Sequence, residues 1–230
     1  VAALQRPDAL IRAICKNYAP AEQRFAVILV FLYVSGFVAH VVPDLRHLTA
    51  FTADVFLLGI NSVMLLFIFN SNRDWRLWIW GGATYIFTFF VEAMGVATGA
   101  VFGEYTYGSG LKWQWLGVPF VIALNWTLLI LAVNDFAQRW LRSPVAVALA
   151  VGVIIAVYDW FIEPVAIALN YWTWASGAEV PFQNYVAWAV VAVIATIPLL
   201  AFKIRYRHPL LPLYLWVQWA YFVAMQWFLK

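Results

Sequence analysis

Asp159 and Glu163 stand one helical turn apart inside the apolar run 144–169, and with Ala166 and Asn170 they fall at the i, i+4, i+7, i+11 spacing that shares one helix face. Two carboxyl groups that close in a medium of low dielectric cannot comfortably both ionise, so at least one is expected to hold a proton near neutral pH. A protonated acid in an apolar pocket is a proton donor. Pro164 removes a backbone donor from the same helix and predicts a kink that widens the pocket. The competing reading is a buried carboxylate tied by hydrogen bonds to a neighbouring helix. Glu92 repeats the situation near the far end of 76–97, about 24 Å from Arg76 at 1.5 Å per residue, where it could also snorkel to the interface. Asn125, Asp54, Asn61 and His40 complete a polar set that gathers in one half of the apolar segments. Asp135, one turn from Arg139, reads instead as a helix-end ion pair.

These residues repay notice because of what surrounds them. Of the 230 residues, 65% are hydrophobic and only 11% charged, and 19% are aromatic, including 14 tryptophans. An ordinary soluble domain is about half apolar and a quarter charged, so the composition excludes a soluble enzyme, a disordered tail and a disulfide scaffold. A lone Cys15 has no internal partner, and a net charge of +3 gives no reason to expect nucleic acid. Segments of about 20 apolar residues, the length that crosses a bilayer, occur at 22–42, 52–70, 76–97, 117–138, 144–169, 185–203 and 210–229. The expected architecture is therefore an all-α, polytopic membrane bundle of about seven helices in one domain spanning 1–230. Arg6, Arg12 and Lys16 around Leu10, Ile11 and Ile14 predict a short amphipathic helix on the membrane surface within residues 1–20. The chain opens on Val1 rather than Met, as expected where residues precede it. Eleven of the 14 Lys and Arg residues fall on one side of these segments, which the positive-inside rule makes cytoplasmic, with the N-terminus in and the C-terminus out.

On that topology the outer connections 98–116 and 170–184 are long and rich in aromatics and glycine, and are expected to be ordered. Gly95 and Gly99 form a small-xxx-small pair that predicts close helix packing. Several tryptophans fall near interfaces, whereas Trp126, Trp160 and Trp188 fall beside the polar positions and could line a cavity. Some chemistries have no residues to carry them. His40, His47 and His208 form no histidine box of a diiron enzyme. There is no haem-attachment motif, no phosphate-binding glycine loop and no mid-helix lysine for a retinal Schiff base. No metal ligands are expected.

The segment Glu92-Ala-Met-Gly-Val-Ala-Thr-Gly99 followed by Phe102-Gly-Glu-Tyr-Thr-Tyr107 resembles the opening signature of the membrane carotenoid hydratases of the bisanhydrobacterioruberin and γ-carotene 1′,2′-hydratase type. Gly117-Val-Pro119 with Leu124-Asn-Trp126 resembles the next motif, and Asp159-Trp-Phe-Ile-Glu-Pro164 another. Tyr171-Trp-Thr-Trp174 with Val180-Pro-Phe-Gln-Asn-Tyr-Val-Ala-Trp188 completes the pattern over about residues 85–190. The resemblance implies hydration of the terminal double bond of an acyclic carotenoid end to a tertiary alcohol, without a redox cofactor, in the plasma membrane of a bacterium or archaeon. Its partners would be the carotenoid and membrane lipid, with substrate arriving sideways between helices. Under it Asp159 is the expected proton donor and Glu163 its tuning partner. Glu92 or Asn125 would orient water, and Glu104 could enter from the outer loop. Tyr105, Tyr107, Trp126, Trp160, Trp172, Asn184 and Trp188 are the expected substrate-binding residues, their aromatic faces stabilising a cation. Three other readings stay open, one of them a pigment-binding structural subunit, for which the aromatics would suffice but which leaves the clustered acids unexplained. Another membrane isoprenoid enzyme, an end-group cyclase or isomerase, would share the proton delivery but lose the cation differently. A proton-coupled transporter of a lipid-like substrate would also use intramembrane acids, though paired broken helices are absent.

Overall fold

The structure, a computed structural model, describes residues 19–175 and 179–229. The amphipathic helix expected within residues 1–20 falls almost wholly outside them. Within these described residues seven α-helices follow in order: α1 Pro20–Val41, α2 Arg46–Ser71, α3 Arg76–Thr98, α4 Phe120–Trp140, α5 Pro144–Ala168, α6 Phe182–Ala201 and α7 Leu210–Phe228. Six are long and apolar enough to cross a membrane. The exception is α7, which is 19 residues long and carries Gln218 and Gln226.

The helix boundaries follow local chemistry. Pro20 and Pro144 occupy first-turn positions, where a missing N–H is no loss. The Ser143 hydroxyl accepts the Ala146 N–H at the start of α5. Gly99 ends α3 in the left-handed conformation, φ 65°, which costs glycine nothing. Helix α5 runs unbroken through Pro164. The central helix is α4: 72% of its apolar window is buried, against 44% or less in the other spans. Helices α5 and α6 meet closely at Gly152, where a Cβ would stand 2.9 Å from the Ala189 carbonyl oxygen. Gly95 has a different part from the expected one. The ring of Phe102 and the Tyr105 hydroxyl occupy the space its Cβ would take, at 2.6 and 3.2 Å, so it admits a loop rather than a helix.

Consecutive helices run back and forth, which gives the bundle two unlike ends. One end is basic. Arg207 and Arg139 both reach Asp135, at 2.8 and 2.6 Å, Arg76 donates to the Phe202 carbonyl, and His208 meets Glu22 at 3.1 Å. At the other end, here the loop end, the two long connections pair with each other. β1 (Tyr105–Tyr107) from the α3–α4 connection lies antiparallel to β4 (Trp172–Trp174) from the α5–α6 connection, with Tyr105 opposite Trp174 and Tyr107 opposite Trp172. Within the first connection β2 (Gln114–Trp115) pairs with β3 (Val118–Pro119). These short strands are the ordered form of the loops the sequence singles out. Trp80 is buried, and its indole N–H donates to the Ala195 carbonyl between α3 and α6.

Candidate functional site

The β1–β4 ribbon is what assembles the site. Alternate residues of a strand share a face, so Tyr105 and Tyr107 act together, as do Trp172 and Trp174. Both tyrosine hydroxyls donate to Glu92 Oε2, at 2.6 and 2.8 Å. Trp126 of α4 donates its indole N–H to Glu92 Oε1 at 2.8 Å. Both tryptophans of β4 donate to Glu163 Oε2, at 2.9 and 3.0 Å. Asn184, one turn into α6, donates to Glu163 Oε1 at 3.0 Å and to Asp159 Oδ2 at 2.5 Å. Among the described residues, Glu92 and Glu163 are thus each held by three neutral donors and by no cation. Burial and the neighbouring Glu92 push the Tyr105 and Tyr107 phenols up from their ordinary values, so both stay protonated donors at any physiological pH.

A cavity of about 690 Å³ reaches these acids. Its lining is overwhelmingly apolar. Along α2 the lining residues recur at three- and four-residue spacing from Thr49 to Asn61, a single helix face about 18 Å long. Helix α1 supplies the facing wall from Phe31 to His40, and the outward side chains of Phe31, Val34 and Phe56 are exposed. Glu92, Glu163 and Asn184 line the cavity together with Tyr105, Tyr107, Trp172, Trp174 and Trp188. Trp126 stacks on Trp188 with ring centroids 4.0 Å apart, so it backs the wall rather than lining it.

Several expected positions lie elsewhere. Asp159 is fully buried but is not part of the cavity wall; it sits behind Asn184, and its Oδ1 has no hydrogen-bond partner. Trp160, one residue on and therefore about 100° around the helix, is 57% exposed on the bundle's outer face. Glu104 is exposed in the loop and does not line the cavity. Asn170 lies past the end of α5 at φ 55° and donates to Ser109, so it stitches two loops together. Asn125 does line the cavity, yet its Oδ1 is engaged by Tyr214 and Gln218 of α7, at 2.7 and 2.9 Å. Asp135 forms the ion pair its spacing predicts.

Sequence reasoning missed Trp174, although its spacing from Trp172 is the strand alternation that would have found it. It also missed Tyr214 and Gln218, which lie in the last helix where nothing in the pattern marks them. Among the described residues no three His, Cys, Asp or Glu side chains gather as a metal site. Acids protected from water and from cations, beside an array of aromatic faces, suit the transfer of a proton to an apolar substrate.

A family described as "Carotenoid biosynthesis protein" matches residues 51–228. Bisanhydrobacterioruberin hydratase of Haloarcula japonica is 30% identical over 122 residues, which cover 49% of this chain and 41% of that protein. The match therefore covers less than half the length of that relative. No solved structure matches the chain at a significant level.

Proposed function

Because the chain belongs to the carotenoid biosynthesis protein family, we propose that it hydrates the terminal double bond of an acyclic carotenoid end group, giving a tertiary alcohol. The observation that carries this reading is the long apolar cavity that ends on Glu92 and Glu163, two acids held only by neutral donors. Its apolar limb between α1 and α2 suits a polyene that arrives from the bilayer, and its aromatic end suits the reacting carbon.

The chemistry balances without an oxidant or reductant. Protonated Glu163 delivers its proton to the less substituted alkene carbon, leaving a tertiary cation at its neighbour. The faces of Trp172, Trp174 and Trp188 stabilise that cation. A water molecule adds to it, and Glu92 accepts the water's proton as general base, so the acid pair is returned to its starting charge by proton exchange. Geometry favours Glu163 over Asp159 as donor, since Glu163 lines the cavity and Asp159 does not. Asp159 acts through the Asn184 amide, which bridges the two. Two adjoining carboxyl groups with no cation between them hold at least one proton.

The deciding experiment expresses the chain in cells that make lycopene or γ-carotene and follows the pigments by mass. A gain of one water per reacted end is expected. A ring at unchanged mass would mean an end-group cyclase, and unchanged pigment with protonophore-sensitive uptake a transporter. Within that assay Glu163→Gln should abolish product, whereas Asp159→Asn should slow its formation without abolishing it. Complete loss in Asp159→Asn with product retained in Glu163→Gln would return the donor role to Asp159.

A further inference from the structure

The same cavity has a second polar region that the acid chemistry does not use. Asn61 of α2, Gln218 of α7 and Tyr33 of α1 line it, and all three are more than nine-tenths buried. Among the described residues, both amide atoms of Asn61, the Gln218 Oε1 and the Tyr33 hydroxyl have no partner at hydrogen-bonding geometry, although Tyr33 and Gln218 stand near enough to interact. Gln218 donates its N–H to Asn125, whose own oxygen also takes the Tyr214 hydroxyl. Interhelical hydrogen bonding explains the Asn125–Tyr214–Gln218 contacts. It leaves Asn61 unexplained, because an amide that bonds to nothing holds no helices together, and a buried unpaired polar group is destabilising.

The unpaired atoms define what would satisfy them. Two are amide oxygens, which need a donor; the Asn61 N–H₂ needs an acceptor; the tyrosine hydroxyl can be either. A hydrocarbon satisfies none of them. A carbonyl or ether accepts but cannot donate, and would leave the Asn61 oxygen unpaired. No carboxylate or ammonium belongs to the set, so nothing in it balances an ion. A hydroxyl group meets what is left: it donates to the Asn61 oxygen and accepts from the Asn61 N–H₂, while the Tyr33 hydroxyl can turn its hydrogen to the Gln218 oxygen.

We propose that Asn61, Gln218 and Tyr33 form a neutral hydroxyl-binding subsite of the cavity, which takes an O–H carried by the polyene substrate or by water. This rests on the reading of the cavity as a carotenoid site and adds a specificity determinant to it. Where the hydroxyl belongs to the substrate, the protein prefers an already hydroxylated polyene over the parent hydrocarbon. Where it belongs to water, the subsite stores the second reactant.

The test is Asn61→Leu, a replacement of similar shape at a residue that makes no bond in the structure. A purely structural Asn61 would leave conversion unchanged and the fold as stable or more so. Wild type and variant are expressed in cells making an acyclic carotenoid hydrocarbon and, separately, its monohydroxylated derivative. Two quantities are read: product formed, and the ratio of the two pigments that copurify with the detergent-solubilised protein from mixed cells. A roughly tenfold loss confined to the hydroxylated pigment, in product or in retention, assigns the subsite to a substrate hydroxyl. An equal roughly tenfold loss of product from both pigments, with retention unchanged, assigns it to water. Unchanged product and unchanged retention overturn the proposal. Wild type that retains hydroxylated pigment preferentially but forms no product from either would sink the hydratase reading while leaving the subsite standing. Gln218→Met, which also removes an unpaired amide oxygen, is the second variant should Asn61→Leu fail to fold.

Discussion

Buried acids occur at both ends of the bundle, and the two ends treat them oppositely. At the basic end Asp135 is met by Arg139 and Arg207, at 2.6 and 2.8 Å, with both guanidinium groups roughly half exposed. At the loop end Glu92 and Glu163 receive only indole, phenol and amide hydrogens. A carboxylate paired with two cations has its charge compensated and serves to tie α4 to the segment before α7. An acid given neutral donors alone keeps its proton chemistry open, because hydrogen bonds orient it without fixing its charge. Buried polar groups with full partners are ordinary; what marks the loop end is that the partners are uncharged, all but Asn184 aromatic, and beside an apolar cavity.

The sharpest way to break that contrast is to give the loop end a cation. Asn184 bridges Asp159 and Glu163, so Asn184→Lys would convert the pair into something resembling the Asp135 cluster. Conversion should fall by about a thousandfold, within the range that general acid catalysis contributes, and pigment analysis would read it. Substantial residual product would mean that an uncompensated acid pair is not what the reaction needs.

A smaller effect is expected from trimming the donors one at a time. Tyr107→Phe removes one of three hydrogen bonds to Glu92, and Trp174→Phe removes one of three to Glu163. Each should lower conversion by roughly 10–100-fold while the protein remains folded, since a single donor to a reacting group contributes on that order or somewhat more. The two losses should combine in the Tyr107→Phe/Trp174→Phe double variant. Equal rates in wild type and both variants would make the ribbon a structural cover only.

The basic end should respond in the other currency. Asp135→Asn removes the charge that two half-exposed arginines share, so the protein should lose about 1–2 kcal/mol of stability, discounted from a fully buried pair for solvent screening. Conversion per folded molecule should stay at the wild-type level. Thermal unfolding in detergent measures the first, and pigment yield normalised to folded protein the second.

How much of this the residues announce depends on the range of the interaction. The helices follow from apolar length alone, and 144–169 against Pro144–Ala168 shows how closely. Asp135 with Arg139 is a four-residue spacing, readable directly. Glu92, Glu163 and Asn184 are recognisable as polar residues out of place or as parts of a motif. Which carboxyl faces the cavity is not readable, because Asp159 and Glu163 share a stripe of α5 and what separates their surroundings is Trp172 and Trp174, 9 and 11 residues past Glu163, which donate to Glu163 alone. Trp160 could have been set aside from its neighbour Asp159 by helical rotation. Asn125 could not: its partners Tyr214 and Gln218 lie 89 and 93 residues away, and no local pattern connects them.

The smallest expected effect also belongs to the basic end, where His208 meets Glu22 and joins the start of α1 to the segment before α7. Burial outweighs the attraction of Glu22 and holds the His208 imidazole below its ordinary value. The folded protein therefore binds this proton less readily than the unfolded chain. Its contribution to stability is whole above the unfolded value of about 6.5, declines as pH falls through that value, and is gone below the lower folded value. Lowering the pH from about 7.5 to about 5.5 should reduce the Tm of the detergent-solubilised protein slightly. His208→Gln keeps a donor for Glu22 but cannot titrate, so it should remove that part of the pH dependence. At the loop end Tyr105 and Tyr107 cannot contribute in this window, because their phenols are pushed further from it. If the Tm of His208→Gln fell with pH as steeply as that of the wild type, the pH sensitivity would have to be sought away from the basic end.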